Sequence, residues 1–135
     1  MSKQIQEAYI VAATRTPIGR SHKGYFRNTR PDDLLAAVLR SALAQAPGLD
    51  PKAIEDVICG CAIPEAQQGL NVARIGAILA GLPNTVGGIT VTRFCASGLS
   101  AVQLAGDRIR VGGAGGMIGT GVGGHSMSPS MGTST

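Results

Sequence analysis

The sequence predicts an α/β chain with a mostly parallel sheet and helices on both faces, and three observations carry that expectation. Short apolar or β-branched runs at residues 8–13, 57–63 and 89–92 have strand character. Longer segments with helical spacing lie between and after them, and strands joined through helices pair in parallel by right-handed crossovers. The chain also has material for a core: of its 135 residues 44% are hydrophobic and 15% charged, the balance of a globular chain and not of a disordered one.

Taken in order, residues 8–13 (AYIVAA) carry no charge and read as a buried strand. Residues 14–30 hold Pro17, Gly19 and Gly24 among basic side chains and read as a loop, which Tyr25 and Phe26 pin to the body. Pro31 suits the first position of a helix, with Asp32 and Asp33 in the first turn where the dipole favours them. Leu34, Leu35, Val38, Leu39, Ala42 and Leu43 then form one apolar stripe, which Pro47-Gly48 stops. Asp50-Pro51 can cap one further helical turn running to Glu55.

The second strand follows at 57–63, where Cys59 and Cys61 fall on one face. Metal binding is the sharper reading of that pair and core packing the better one. No second cysteine pair exists, and neither His22 nor His125 has the spacing of a finger. Asn71 can cap a helix whose Val72, Ile75, Ile78, Leu79 and Leu82 share a face, ending at Gly81 and Pro83. After the Gly87-Gly88 turn comes the strand ITVT, then Cys95, then a helix over 99–110 that is apolar nearly all round and therefore expects cover on more than one side.

Cys95 is the candidate for chemistry. At a strand-to-helix turn it would face unpaired N–H groups and the positive end of a helix dipole, which favour thiolate and can hold an oxyanion. Small Ala96, Ser97 and Gly98 would let a substrate carbonyl approach, as small residues do around a nucleophile elbow. The plainer alternative is a small buried hydrophobe.

Composition excludes several classes. The net charge of +4 is moderate, and the basic group Arg15, Arg20, Lys23, Arg27 and Arg30 suits either phosphates or a solvated loop. Aromatics make up 3% of the chain and no nucleic-acid motif occurs, so nucleic-acid binding is not expected. No apolar run is long enough for a membrane span, and the start MSKQIQEAYIV has no signal-peptide core, so the expected location is cytoplasmic. Three cysteines without framework spacing fit a reducing compartment.

The segments VAATRTPIGR, RFCASGL and AGDRIRVG, in that order, resemble the N-terminal part of the thiolases, the acetyl-CoA acetyltransferase and 3-ketoacyl-CoA thiolase family. The resemblance covers residues 8–111 and implies a thiolase-like N-terminal half-fold, stacked in the whole protein on a second such half with the helix after Cys95 between them. It also implies that Cys95 is the acyl-accepting nucleophile, with its backbone N–H as an oxyanion donor. Acyl-CoA and coenzyme A would be substrates, no metal or further cofactor would be needed, and the complete protein would be a dimer or tetramer. The family's GHP histidine and second cysteine have no counterpart here, so the chain is expected to be a truncated thiolase, or else a non-catalytic fragment.

From Gly112 the text changes: residues 112–124 contain eight glycines in thirteen positions, where the family usually has acidic and larger residues. The expected division is therefore a thiolase domain over 1–111 and a Gly/Ser-rich, flexible tail over 112–135, with the last strand of the half-fold in doubt. Gly119, Gly121 and Gly124 match G-x-G-x-x-G formally, but the pattern has no following helix and no acidic residue downstream, so no dinucleotide site is expected.

Overall fold

The computed structural model describes residues 4–124. Three parallel strands form the sheet in the order β2-β1-β3: β1 at Asp56–Cys61, β2 at Gly87–Val91 and β3 at Met117–Val122. Helices α1 (Pro31–Ala44) and α2 (Val72–Leu79) cover one face and α3 (Ser97–Arg110) the other, as the alternation of elements predicts.

β1 is the centre of the molecule because it is buried on both sides. Val57, Cys59 and Cys61 enter the larger core with Leu35 and Leu39 of α1 and Val72, Ala73 and Ala77 of α2. Ile58 points the other way, onto Ala101 and Ala105 of α3. A central parallel strand has no solvent face, hence its lack of polar alternation. The cysteine pair does share one face, and that face is the core.

α1 begins at Pro31 and buries Leu35 and Leu39 completely. Its buried Asp32 is held by a two-point ion pair with Arg30, at 3.0 and 2.8 Å. The turn after Asp50 is shorter than expected, a single 3₁₀ turn at Pro51–Ala53, with Asp50 Oδ1 accepting from the Lys52 N–H at 3.0 Å.

α2 departs from the expected face. Ile78 and Leu79 are exposed, whereas Val72, Ala73, Gly76 and Ala77 are buried. The reason is close approach: a Cβ on Gly76 would lie 2.4 Å from Leu35 Cδ2, so the two helices meet through the small side of α2. Asn71 does not cap the helix with its own side chain. It donates to the Gly88 carbonyl and accepts from Thr90 Oγ1, at 2.8 and 2.7 Å, and Thr90 Oγ1 in turn accepts the Ala73 N–H at 3.1 Å. The strand neighbour thus supplies the cap.

Two further expectations are corrected. Residues 8–13 belong to no strand, and Tyr9, Ile10 and Val11 stand exposed. Strand character needs a partner edge as well as the right side chains, and here the segment is tied only at its ends. Gln6 bonds to the carbonyls of Arg110 and Ala114, and the Ala13 N–H donates to Gln45 Oε1. The last strand, by contrast, does form. Its glycines are the bed for α3: a Cβ on Gly119 would come within 2.8 Å of Val102 Cα, and one on Gly121 within 3.3 Å of Gly98 Cα. What those glycines lose in strand propensity they return as close helix-on-sheet packing.

The basic loop before α1 is pinned mainly to itself, through a Tyr25–Phe26 edge contact at 4.6 Å between ring centroids and a Tyr25 hydroxyl bond to the Ile18 carbonyl at 2.9 Å.

Candidate functional site

The turn between β2 and α3 is short and tightly drawn. β2 ends at Val91, α3 begins at Ser97, and Ala96 stands at the N-cap with φ −94° and ψ 6°. Between them the chain reverses through Phe94, whose φ of 47° lies in the left-handed region. For a bulky L residue this conformation is unfavourable and marks an imposed turn. Two backbone bonds impose it, from the Ala96 N–H to the Arg93 carbonyl and from the Ser97 N–H to the Phe94 carbonyl, both 3.1 Å.

Cys95 sits at the tip of this turn and is exposed. Among the described residues no hydrogen bond engages its thiol. The turn lies at the carboxyl end of β2, beside that of β1, because the Thr92 hydroxyl donates to the Ala62 carbonyl at 3.3 Å. In open parallel sheets this is the end where loops gather and ligands are met.

The other two thiols are different chemical objects. Cys59 and Cys61 are fully buried in the main core. Burial, with a smaller contribution from neighbouring Cys61, pushes the Cys59 thiol up to about 12. Burial raises Cys61 as well, against a backbone hydrogen bond at Ile63 that favours the thiolate. Of the three, Cys95 alone is open to a reagent.

The structure places Cys95 as the sequence predicts, at a strand-to-helix turn, but it redistributes its small neighbours. Ala96 is exposed, while Ser97 is buried at 3% and faces inward. Ser97 is the residue that sequence reasoning passed over as merely small. Its signal was a serine at the first helical position directly after the turn, where a hydroxyl reaches neighbouring backbone. Gly60 was passed over too: a Cβ there would lie 2.2 Å from the Ser97 carbonyl carbon and 2.4 Å from the Gly98 nitrogen, so β1 admits the turn only with glycine at that point.

The remaining candidates resolve away from the turn. Gly119 and Gly121 lie inside β3 and not between a strand and a helix, so the formal glycine fingerprint has no phosphate-cradling geometry. His22 lies in the loop before α1, and His125 falls outside the described residues. Arg30 of the basic group is engaged by Asp32, and Arg27 bonds to the Gly24 carbonyl of its own turn. No helix among the described residues is long and apolar enough to cross a membrane.

Comparison with known proteins supplies the context. Residues 8–134 match the family model described as "Thiolase, N-terminal domain". The chain is 45% identical over 128 residues to a 3-ketoacyl-CoA thiolase of Bacillus subtilis, covering 95% of this chain and 32% of that protein. It is 45% identical over 108 residues to a 3-ketoacyl-CoA thiolase of a Shewanella strain (MR-7), covering 80% of this chain and 28% of that one. The crystal structure of the Bacillus anthracis acetyl-CoA acetyltransferase superposes with a TM-score of 0.87 at 35% identity, over 95% of this chain and 32% of that one. The chain thus spans about a third of the length of these relatives. With an N-terminal-domain match over nearly its whole length and a parallel sheet that superposes on a solved member, the chain belongs to the thiolase family.

Proposed function

We propose that this chain is the nucleophile-bearing part of a thiolase and that Cys95 is the group that accepts the acyl chain. The observation that carries the reading is a single exposed thiol, set on a tight strand-to-helix turn at the carboxyl end of a parallel sheet, in a chain of this family. The Cys95 thiolate attacks the 3-keto carbon of a 3-ketoacyl-CoA, the C2–C3 bond breaks, and acetyl-CoA departs as its enolate and is protonated. Coenzyme A thiol then attacks the acyl thioester on Cys95, releasing a shortened acyl-CoA and returning the free cysteine. The reverse sequence joins two acetyl-CoA molecules.

The Cys95 backbone N–H is the oxyanion donor named in this chain. The proton-transfer groups of the cycle, which typically contribute about 10² to 10⁴ each, are assigned to no residue here. Coenzyme A thioesters serve as substrates with no metal or further cofactor, in the cytoplasm, and the complete assembly is a homo-oligomer. The proposed division is a thiolase domain over 1–111 and a Gly/Ser-rich segment over 112–135, of which Met117–Val122 completes the domain's sheet as β3.

The test is brief exposure of the purified chain to acetyl-CoA followed by peptide mapping in the mass spectrometer. An acetyl group on Cys95, absent from Cys95→Ser, is the expected result. Acetylation that persists in Cys95→Ser, or that maps to Cys59 or Cys61, overturns the assignment. A second reading, a non-catalytic thiolase-like interaction module, is favoured by the outer side of α3, where Leu99, Val102 and Leu104 are exposed. An intact chain that takes up no acetyl group supports that reading.

A further inference from the structure

The turn that carries Cys95 is closed by one buried hydroxyl. Ser97 Oγ accepts the Arg93 N–H at 2.7 Å and donates to the Phe94 carbonyl at 2.6 Å. The oxygen therefore reaches backward across Cys95 to both residues that precede it, and it makes no capping bond within its own helix. Its second partner, Phe94, is the residue held at φ 47°. Such a conformation persists only where its surroundings over-determine it, and the Ser97 hydroxyl and Ser97 N–H both converge on the Phe94 carbonyl. From below, Gly60 brings the backbone of Ser97 and Gly98 directly onto β1, so the turn is clamped between a strand and a hydroxyl.

We propose that Ser97 is a positioning residue for acyl transfer: its hydroxyl bonds to Arg93 and Phe94 fix the turn that presents the Cys95 thiol to an acyl thioester. This rests on Cys95 being the acyl acceptor. Ser97 touches no reacting atom. Its removal leaves the Arg93 N–H without its acceptor and relieves the constraint on Phe94, so that the thiol loses its set approach direction.

The experiment compares Ser97→Ala and Ser97→Thr with the parent chain. One readout is the rate of acetyl transfer from acetyl-CoA to Cys95; the other is native-state amide exchange at Arg93 and along β1. The alanine variant should acylate about 10-fold to 100-fold more slowly, the size of loss that follows a small misplacement of a reacting group. Its Arg93 amide should exchange faster while β1 stays protected, and threonine, which keeps the hydroxyl, should recover both. Acylation of Ser97→Ala at the parental rate overturns the inference, as does a threonine variant as slow as alanine. Loss of β1 protection in Ser97→Ala also overturns it, because the hydroxyl would then hold the fold and not the turn. If the parent takes up no acetyl group, the Cys95 reading fails. The positioning of the turn is then decided by exchange alone: faster exchange at Arg93 reversed by threonine sustains it, and unchanged exchange overturns it.

Discussion

Three thiols in one small chain differ only in where the backbone carries them. Cys59 and Cys61 point into the core from alternate positions of β1, while Cys95 rides on a turn forced through a left-handed phenylalanine. A brief pulse of a thiol reagent near neutral pH should label Cys95 and leave Cys59→Ser labelled almost as the parent is. Loss of most label in that variant would move the reactive site to the core strand. Burial of Cys59 also sets a pH dependence for the fold. Its pKa rises from an ordinary 9.0 to about 12, so the folded chain keeps a proton there that the unfolded chain releases between those values. Stability is fully present below pH 9 and falls as pH rises towards 12. Urea midpoints at pH 8 and 10.5 should show the fall, and Cys59→Ala should reduce it, the raised Cys61 thiol keeping a part.

The helices meet their neighbours through their smallest residues. α2 turns Gly76 and Ala73 inward and leaves Ile78 and Leu79 outside, and α3 lies on β3 across Gly119 and Gly121. Small-residue contacts of this kind bring backbones together, so one added methyl has no free volume to enter. Gly119→Ala would place a Cβ 2.8 Å from the Val102 Cα, a backbone atom that cannot rotate away. We expect it to cost about 1–3 kcal/mol of stability, read as a lower urea midpoint. Gly115→Ala, whose Cβ would meet nothing within 4 Å, should shift the midpoint little. Equal shifts in the two variants would show that α3 is not seated on the glycine strand as described.

At the scale of the molecule, two helices cover one side of the sheet and α3 alone covers the other, with an apolar outer side of its own. α3 buries Ser97, Ala101 and Ala105 and exposes Leu99, Val102 and Leu104, while Tyr9, Ile10 and Val11 are exposed on the N-terminal segment. The chain spans 32% of its Bacillus subtilis relative, and apolar surface of this extent favours association. The isolated chain should therefore associate with rising concentration in light scattering. Leu99→Glu together with Val102→Lys should reduce that association and leave the helical signal unchanged. Undiminished association would place the contact elsewhere.

Local chemistry alone determined a good part of this protein. Pro31 with Asp32 and Asp33 started a helix, the apolar run around Cys59 made a strand buried on both faces, and β-branched residues before Cys95 put that thiol at a strand-to-helix turn. Those features depend on contacts between residues close in the chain or on hydrophobic periodicity, and both are written in sequence order. Tertiary structure decided the rest. Residues 8–13 had the side chains a strand needs but pair with neither outer edge of the sheet, whereas the glycine-rich residues of β3 became a strand against β1, where α3 could seat on them. The inward face of α2, the supply of its cap by Thr90, and the fit of Gly60 beneath Ser97 likewise arise only when distant segments meet. Hydrogen-bond pairing and steric fit are properties of two surfaces, and a sequence read in order presents one at a time.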